Sequence, residues 1–261
     1  MMKNKGFKTG IVLSGGGAHG MAHAGIFKAL NEDGVYPDLI LGVSAGAMVG
    51  VLYAKGIPPD HILEIFTKEK IFKYPGLNFK NRGLLNGSKT IDRLIGNRDI
   101  HTFNDLEIPL IITTSNFNKG MQGAFSSGDI YKPLCATISV PILFSGVEID
   151  GDLHYDGGLI DNLPVELIRD KCDTLIGVNV NPITRVDKFE SLQELVIRTA
   201  HIGITARLKE KTGICDLFIE PKDIYKHPIL NDSRLKETFD AGYHFTRELL
   251  STKKMTLQQE Q

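Results

Sequence analysis

The stretch Gly42-Val43-Ser44-Ala45-Gly46 restricts the fold of this chain more than any other. Ahead of it lies Leu39-Ile40-Leu41, a short apolar segment with the character of a buried strand. Behind it, Ala45 to Lys55 is rich in Ala, Met, Val and Leu and reads as a helix. A strand that passes directly into a helix turns so tightly that the positions beside the turn take residues with little or no side chain. A Ser between glycines at such a junction has the pattern of a nucleophile elbow. Its hydroxyl would stand at a helix N-terminus, where backbone N–H groups and the helix dipole favour a developing anion. Five residues of this form also arise by chance; the strand-then-helix context gives them weight.

The neighbouring segments supply that context. Gly10 to Leu13 reads as a first strand, followed by Gly15-Gly16-Gly17-Ala18-His19-Gly20 and a helical stretch through Ala22, Ile26, Phe27 and Leu30 that Gly34 would cap. Strand, helix, strand, helix at this spacing predicts a parallel sheet with right-handed crossovers. Helices are expected over His61–Lys70, Lys89–Ile95, Ile130–Thr137, Leu192–Leu208 and Leu235–Leu250. Strands are expected over Pro109–Ser115, Gln122–Ser126, Asp173–Asn179 and Asp216–Glu220, with a hairpin turning at Asp150-Gly151-Asp152. With 261 residues, 42% of them hydrophobic, the chain suits a single globular domain over 1–261. Its region from about 186 to 250 is helical in character, and the polar tail 251–261 is expected to fray.

The formal charge of −1 gives no support for nucleic acid as a partner. Cys135, Cys172 and Cys215 are an odd set in apolar contexts and read as reduced core residues. No stretch of about 18 apolar residues is present, and the apolar run behind the basic N-terminus is only Ile11-Val12-Leu13. The expected address is the cytoplasm or the face of a membrane. No paired Cys or His spacing suggests a metal, and no cofactor is expected.

The run Gly15-x-Gly17-x-x-Gly20 also fits a dinucleotide fingerprint. That use needs an acid at the far end of the second strand, and the nearest one, Asp38, is at the wrong end. The alternative use is an oxyanion hole, in which consecutive glycines turn their N–H groups toward one oxygen. Loops that follow the first and second strands of a parallel sheet lie at the same edge, so these N–H groups and Ser44 can converge. Ser44 would then need a base. A triad could draw on His201, His227 or His244. Asp156, placed after a strand and before two glycines, is the better candidate: by itself it reads first as a turn residue capping the loop before Leu159, and the elbow and glycine loop shift the balance.

Ser14-Gly-Gly-Gly-Ala-His-Gly20, Gly42-Val-Ser-Ala-Gly46 and Asp156-Gly157-Gly158 together resemble the patatin-like phospholipase family, in its bacterial branch. Ser127-Gly128-Asp129, the approach from Ala136 to Pro141, and the run from Asp156 to Val165 extend the likeness, which spans about residues 8–180. The resemblance implies a three-layer α/β/α sandwich around a mostly parallel sheet. It implies a Ser–Asp dyad without catalytic His, with Ser44 as nucleophile and Asp156 as general base. The N–H groups of Gly15, Gly16, Gly17 and Ala18 would form the oxyanion hole, with Gly20, Gly42, Gly46, Gly157 and Gly158 supporting the turns. The chain departs from the family in having His19 where Arg or Lys is common and Ile142 where Gly is common. The implied activity is hydrolysis of fatty-acyl esters of lipids. A thioesterase or carboxylesterase on the same dyad is the near alternative, and a non-catalytic lipid- or nucleotide-binding regulator the distant one. The basic, aromatic segment from Lys68 to Arg98, including Phe72, Tyr74 and Phe79, could rest on an anionic bilayer or be a solvated surface. The oligomeric state is not legible.

Overall fold

A computed structural model describes residues 6–72, 87–141, 143–183, 185, 188–189, 192–206, 208–226 and 233–259. Among these, eight strands form one sheet: β1 Phe7–Leu13, β2 Leu39–Val43, β3 Leu110–Asn116, β4 Met121–Phe125, β5 Val147–Ile149, β6 Asp152–Asp156, β7 Cys172–Val178 and β8 Leu217–Ile219. The order is β5-β6-β3-β2-β1-β7-β8, with β4 also on β3. The helices are α1 Met21–Glu32, α2 Ala45–Ala54, α3 Pro59–Lys68, α4 Ser88–Ile95, α5 Tyr131–Thr137, α6 Glu166–Arg169, α7 Leu192–Thr205, α8 Leu208–Thr212 and α9 Leu235–Gln259.

The central strands β3, β2, β1, β7 and β8 are parallel, while the hairpins β3–β4 and β5–β6 bring antiparallel pairs at one side. Alternation along the central strands separates two cores. Ile11, Leu13, Ile40, Ile112, Ile176 and Val178 face residues of α1, α2, α3, α4, α5 and α9. Val12, Leu41, Val43, Ile111 and Leu175 face the opposite way, toward Ile168 of α6 and Leu208 of α8. This is the three-layer α/β/α arrangement with a mostly parallel sheet. Every residue of α2 is buried, so it reads as apolar on all sides rather than as an amphipathic stripe. Gly34 adopts φ +76° behind α1, and the Val35 N–H reaches the Leu30 carbonyl at 2.9 Å. These are the marks of a Schellman cap.

Two expectations change. The stretch expected as one helix over Leu192–Leu208 is described as two, α7 and α8. The final helix runs to Gln259, past the expected start of a frayed tail. Cys135 and Cys172 are buried as free thiols, and Cys215 is half-buried.

Candidate active site

The hydroxyl and the carboxylate meet because of how β3 shares its edges. Thr113 pairs with Val43 of β2 and with Ala124 of β4; Ser115 pairs with Tyr155 of β6 and with Gln122 of β4. A strand has only two edges, so β2 and β6 lie on the same one. Here β2 ends at Val43, opposite Thr113, and β6 ends at Asp156, opposite Thr114. The two strands meet end to end there, and the residue after Val43 is Ser44. That brings the Ser44 side chain beside the Asp156 carboxylate, whose charged form it favours.

Ser44 stands between β2 and α2 with φ 50° and ψ −120°, a conformation that costs a non-glycine residue about 1–3 kcal/mol. Its surroundings hold it there. Gly42 and Gly46 admit no side chain: a Cβ on Gly42 would lie 2.7 Å from the Ala47 nitrogen, and one on Gly46 would lie 2.7 Å from the Leu13 carbonyl carbon. The Ser44 N–H donates to Thr137 Oγ1 at 2.8 Å, and that hydroxyl donates to the Thr113 carbonyl at 2.7 Å. Thr137 therefore ties the elbow to β3.

Asp156 is 7% exposed. Burial pushes its carboxyl up to about 6, against the neighbouring Ser44 side chain and the hydrogen bond from the Gly158 N–H, which favour the anion. The Gly158 contact is 2.8 Å. The Asp156 N–H is held by the Ser139 carbonyl at 2.9 Å. Gly157 lies so close to the Thr113 carbonyl that a Cβ there would overlap it.

The glycine loop closes the third side. Gly17 has φ +54° and opens a short 3-10 turn over Gly17–Gly20 whose N-cap is Gly16, and no side chain caps it. The first N–H groups of such a turn have no carbonyl within the turn to bond. A Cβ on Gly15 would stand 3.1 Å from Ser44 Cβ, and one on Gly20 would meet Ala45. The loop therefore lies directly against the elbow. His23, wholly buried on α1, donates from Nε2 to the Ser14 carbonyl at 2.8 Å. Desolvation lowers its pKa to about 4, so it is neutral near pH 7. The Val180 N–H reaches Ser14 Oγ at 2.9 Å.

One expected donor is otherwise occupied. The Gly15 N–H already donates to Asn162 Oδ1 at 3.0 Å. A backbone N–H carries one hydrogen, so Gly15 shapes the loop instead of donating, and the candidate donors are Gly16, Gly17 and Ala18.

Asn162 and Thr137 escaped the sequence reading of the site. Asn162 lay inside the matching run after Asp156, and Thr137 in the approach to Pro141, but neither carries a local signal of its partner. Of the histidines considered for a triad, His201 bonds the Asn181 carbonyl at 3.2 Å, and His244 packs edge-on against Tyr243. His227 lies outside the described residues. Asp38, the acid weighed for a ribose, accepts the N–H groups of Lys8 and Thr9 at 2.9 and 2.8 Å. Among the described residues no group of His, Cys, Asp and Glu could hold a metal ion, and no helix is long and apolar enough to cross a membrane.

Much of the basic segment expected to touch a bilayer, residues 73–86, lies outside the described residues, as does Ile142. Phe72 is a correction: it is 2% exposed and packs on Phe66 with ring centroids 5.4 Å apart, so it belongs to the core.

Comparison with known proteins agrees with this architecture. The family profile described as Patatin-like phospholipase matches residues 11–168. Lysophospholipase nte1 of Aspergillus fumigatus is 25% identical over 285 residues, covering 94% of this chain and 18% of its own length. Lysophospholipase NTE1 of Saccharomyces cerevisiae is 25% identical over 286 residues, covering 94% of this chain and 16% of its own. The chain thus spans less than a fifth of these relatives. The crystal structure of VipD from Legionella pneumophila superposes with a TM-score of 0.58 at 16% identity, covering 95% of this chain and 67% of that one, a likeness of fold. With the profile extending over more than half of its length, the chain belongs to the patatin-like phospholipase family.

Proposed function

We propose that this protein is a serine acyl hydrolase of lipid esters working through Ser44 and Asp156. The observation that carries the reading is the meeting of Ser44, at a strained strand-to-helix turn, with the buried Asp156 carboxylate where β2 and β6 end on one edge of β3. An alcohol needs a base in contact with it, and desolvation makes a carboxylate a better one.

In this reading Ser44 Oγ adds to the ester carbonyl carbon while its proton passes to Asp156. The carbonyl π electrons move to oxygen, and the N–H groups of Gly16, Gly17 and Ala18 hold that oxyanion. Collapse breaks the bond to the leaving alcohol, which takes the proton from Asp156, and an acyl-Ser44 ester remains. Water then adds to the acyl carbon and gives its proton to Asp156. Asp156 returns that proton to Ser44 Oγ as the fatty acid leaves. No metal or cofactor enters these steps.

Lysophospholipids are the substrate class favoured, because the curated relatives bear that activity in their names. The test is product analysis with lysophospholipid, diacyl phospholipid and a short-chain ester, using Ser44→Ala as control. Fatty acid released from lysophospholipid by the parent and not by the variant is the expected result. Equal release by both would overturn the assignment. Peripheral contact with an anionic lipid surface belongs to the same reading, through the exposed Lys68, Lys70, Lys89 and Arg93. Each such charge near the surface contributes about 1 kcal/mol, so binding to anionic vesicles should weaken as salt rises.

A further inference from the structure

Asn162 is 8% exposed and takes no part in the proton transfers above. Its side-chain amide reaches across 147 residues of sequence to grip Gly15 from both sides. Oδ1 accepts the Gly15 N–H at 3.0 Å, and Nδ2 donates to the Gly15 carbonyl at 3.3 Å. That carbonyl shares a peptide plane with the Gly16 N–H. In a planar trans peptide the N–H points opposite to the C=O, so a carbonyl held toward Asn162 turns the Gly16 N–H the other way.

The same amide abuts the Asp156 turn. A Cβ on Gly158 would lie 2.7 Å from Asn162 Oδ1, and the Gly158 N–H is the donor to Asp156. The segment carrying Asn162 is itself fastened. Asp161 Oδ1 accepts the Leu163 N–H at 3.0 Å, and the buried Lys211 ammonium binds Asp161 at 2.6 Å and Glu166 at 2.8 Å. Lys211 lies beyond the 11–168 stretch that matches the family.

We propose that Asn162 is a positioning residue that aims the Gly16 N–H at the reacting oxygen and keeps the glycine loop in register with Asp156. This rests on the hydrolase reading above. It assigns Asn162 a part in stabilising the oxyanion, not in proton transfer.

The test compares the full chain and its variants on a p-nitrophenyl ester and on the thionoester in which sulfur replaces the carbonyl oxygen. An oxyanion hole built for oxygen fits sulfur poorly, so the ester-to-thionoester ratio of kcat reports on the hole itself. Asn162→Ala should lower kcat for the ester by about 10- to 100-fold, with KM changed by less than about twofold. The kcat ratio should fall by about tenfold or more, while the midpoint of the pH profile stays where Asp156 sets it. A folded variant with an unmoved ratio overturns the proposal, whatever its kcat. Asn162→Asp is the near-isosteric second variant. It keeps an acceptor for the Gly15 N–H and sets a carboxylate oxygen against the Gly15 carbonyl, and its ratio must fall too. Parent protein inactive on the ester would remove the hydrolase reading and this inference with it. Parent activity that needs Ser44, with a ratio indifferent to residue 162, would remove this inference alone.

Discussion

Ser44 and Asp156 come together on two different kinds of backbone. The elbow is local: strand, turn and helix lie within residues 39–54, and the turn is tight because Gly42 and Gly46 let α2 fold back onto the ends of β1 and β2. The Asp156 turn is made from a distance. Its strand pairs with Thr114, its N–H with Ser139, and its second glycine approaches Asn162. The elbow stores its strain in the backbone of Ser44 itself, at φ 50°. The aspartate turn stores its cost in a desolvated charge. Side-chain changes at Ser44 and Asp156 should therefore remove chemistry and spare the fold, while changes to the elbow's glycines should damage both.

The largest expected effect is at Ser44, the proposed nucleophile. Ser44→Ala should reduce kcat by about 10⁵-fold, and Asp156→Asn by about 10³-fold, with both variants folded by circular dichroism. Near-parental turnover by a folded Asp156→Asn protein would break the pairing of the two turns. Gly46→Ala tests the opposite limb. Its methyl would overlap the Leu13 carbonyl oxygen, a backbone atom that cannot swing away. Denaturant titration should show a loss of about 2–3 kcal/mol, together with lost activity, because β1 leads straight into the glycine loop.

The buried charge gives the third test, with a definite sign. Asp156 holds its proton to about pH 6 when folded, whereas a solvated Asp loses it near about 3.9. Between those values the folded protein binds more protons than the unfolded chain. The stability tied to protonated Asp156 is thus complete below about pH 4 and is lost as pH rises through about 6. Asp156→Asn should be more stable than the parent at pH 7.5, by at most about 3 kcal/mol, and the gap should close near pH 4. The kcat/KM of the parent should rise with pH around a midpoint near 6, as the base ionises. The smallest effect is at Thr137. Thr137→Val leaves the Ser44 N–H without its acceptor and should cost about 1–3 kcal/mol of stability, with Thr137→Ser restoring it.

The parallel core was legible because its signals are short-range. Leu39-Ile40-Leu41 marked β2, which runs on to Val43, and α2 was placed within a residue of its end, from apolar runs bounded by glycine. Ser44 was legible for the same reason. Phe72 was misjudged, since a basic and aromatic neighbourhood says nothing about whether a ring finds a partner such as Phe66. The claim of Asn162 on the Gly15 N–H was invisible, because the partners are 147 residues apart.

What the sequence determined by itself is the sharp turn at Ser44, the glycine-rich loop after β1 and the alternation that buries the central strands. Each follows from steric and apolar relations among adjacent residues. Only the tertiary structure decided that β2 and β6 share an edge of β3, that Asn162 clasps Gly15, and that Asp156 is dry enough to keep its proton to about pH 6. Strand pairing joins residues far apart in the chain, and desolvation is produced by every group that excludes water, so no single stretch of sequence encodes either.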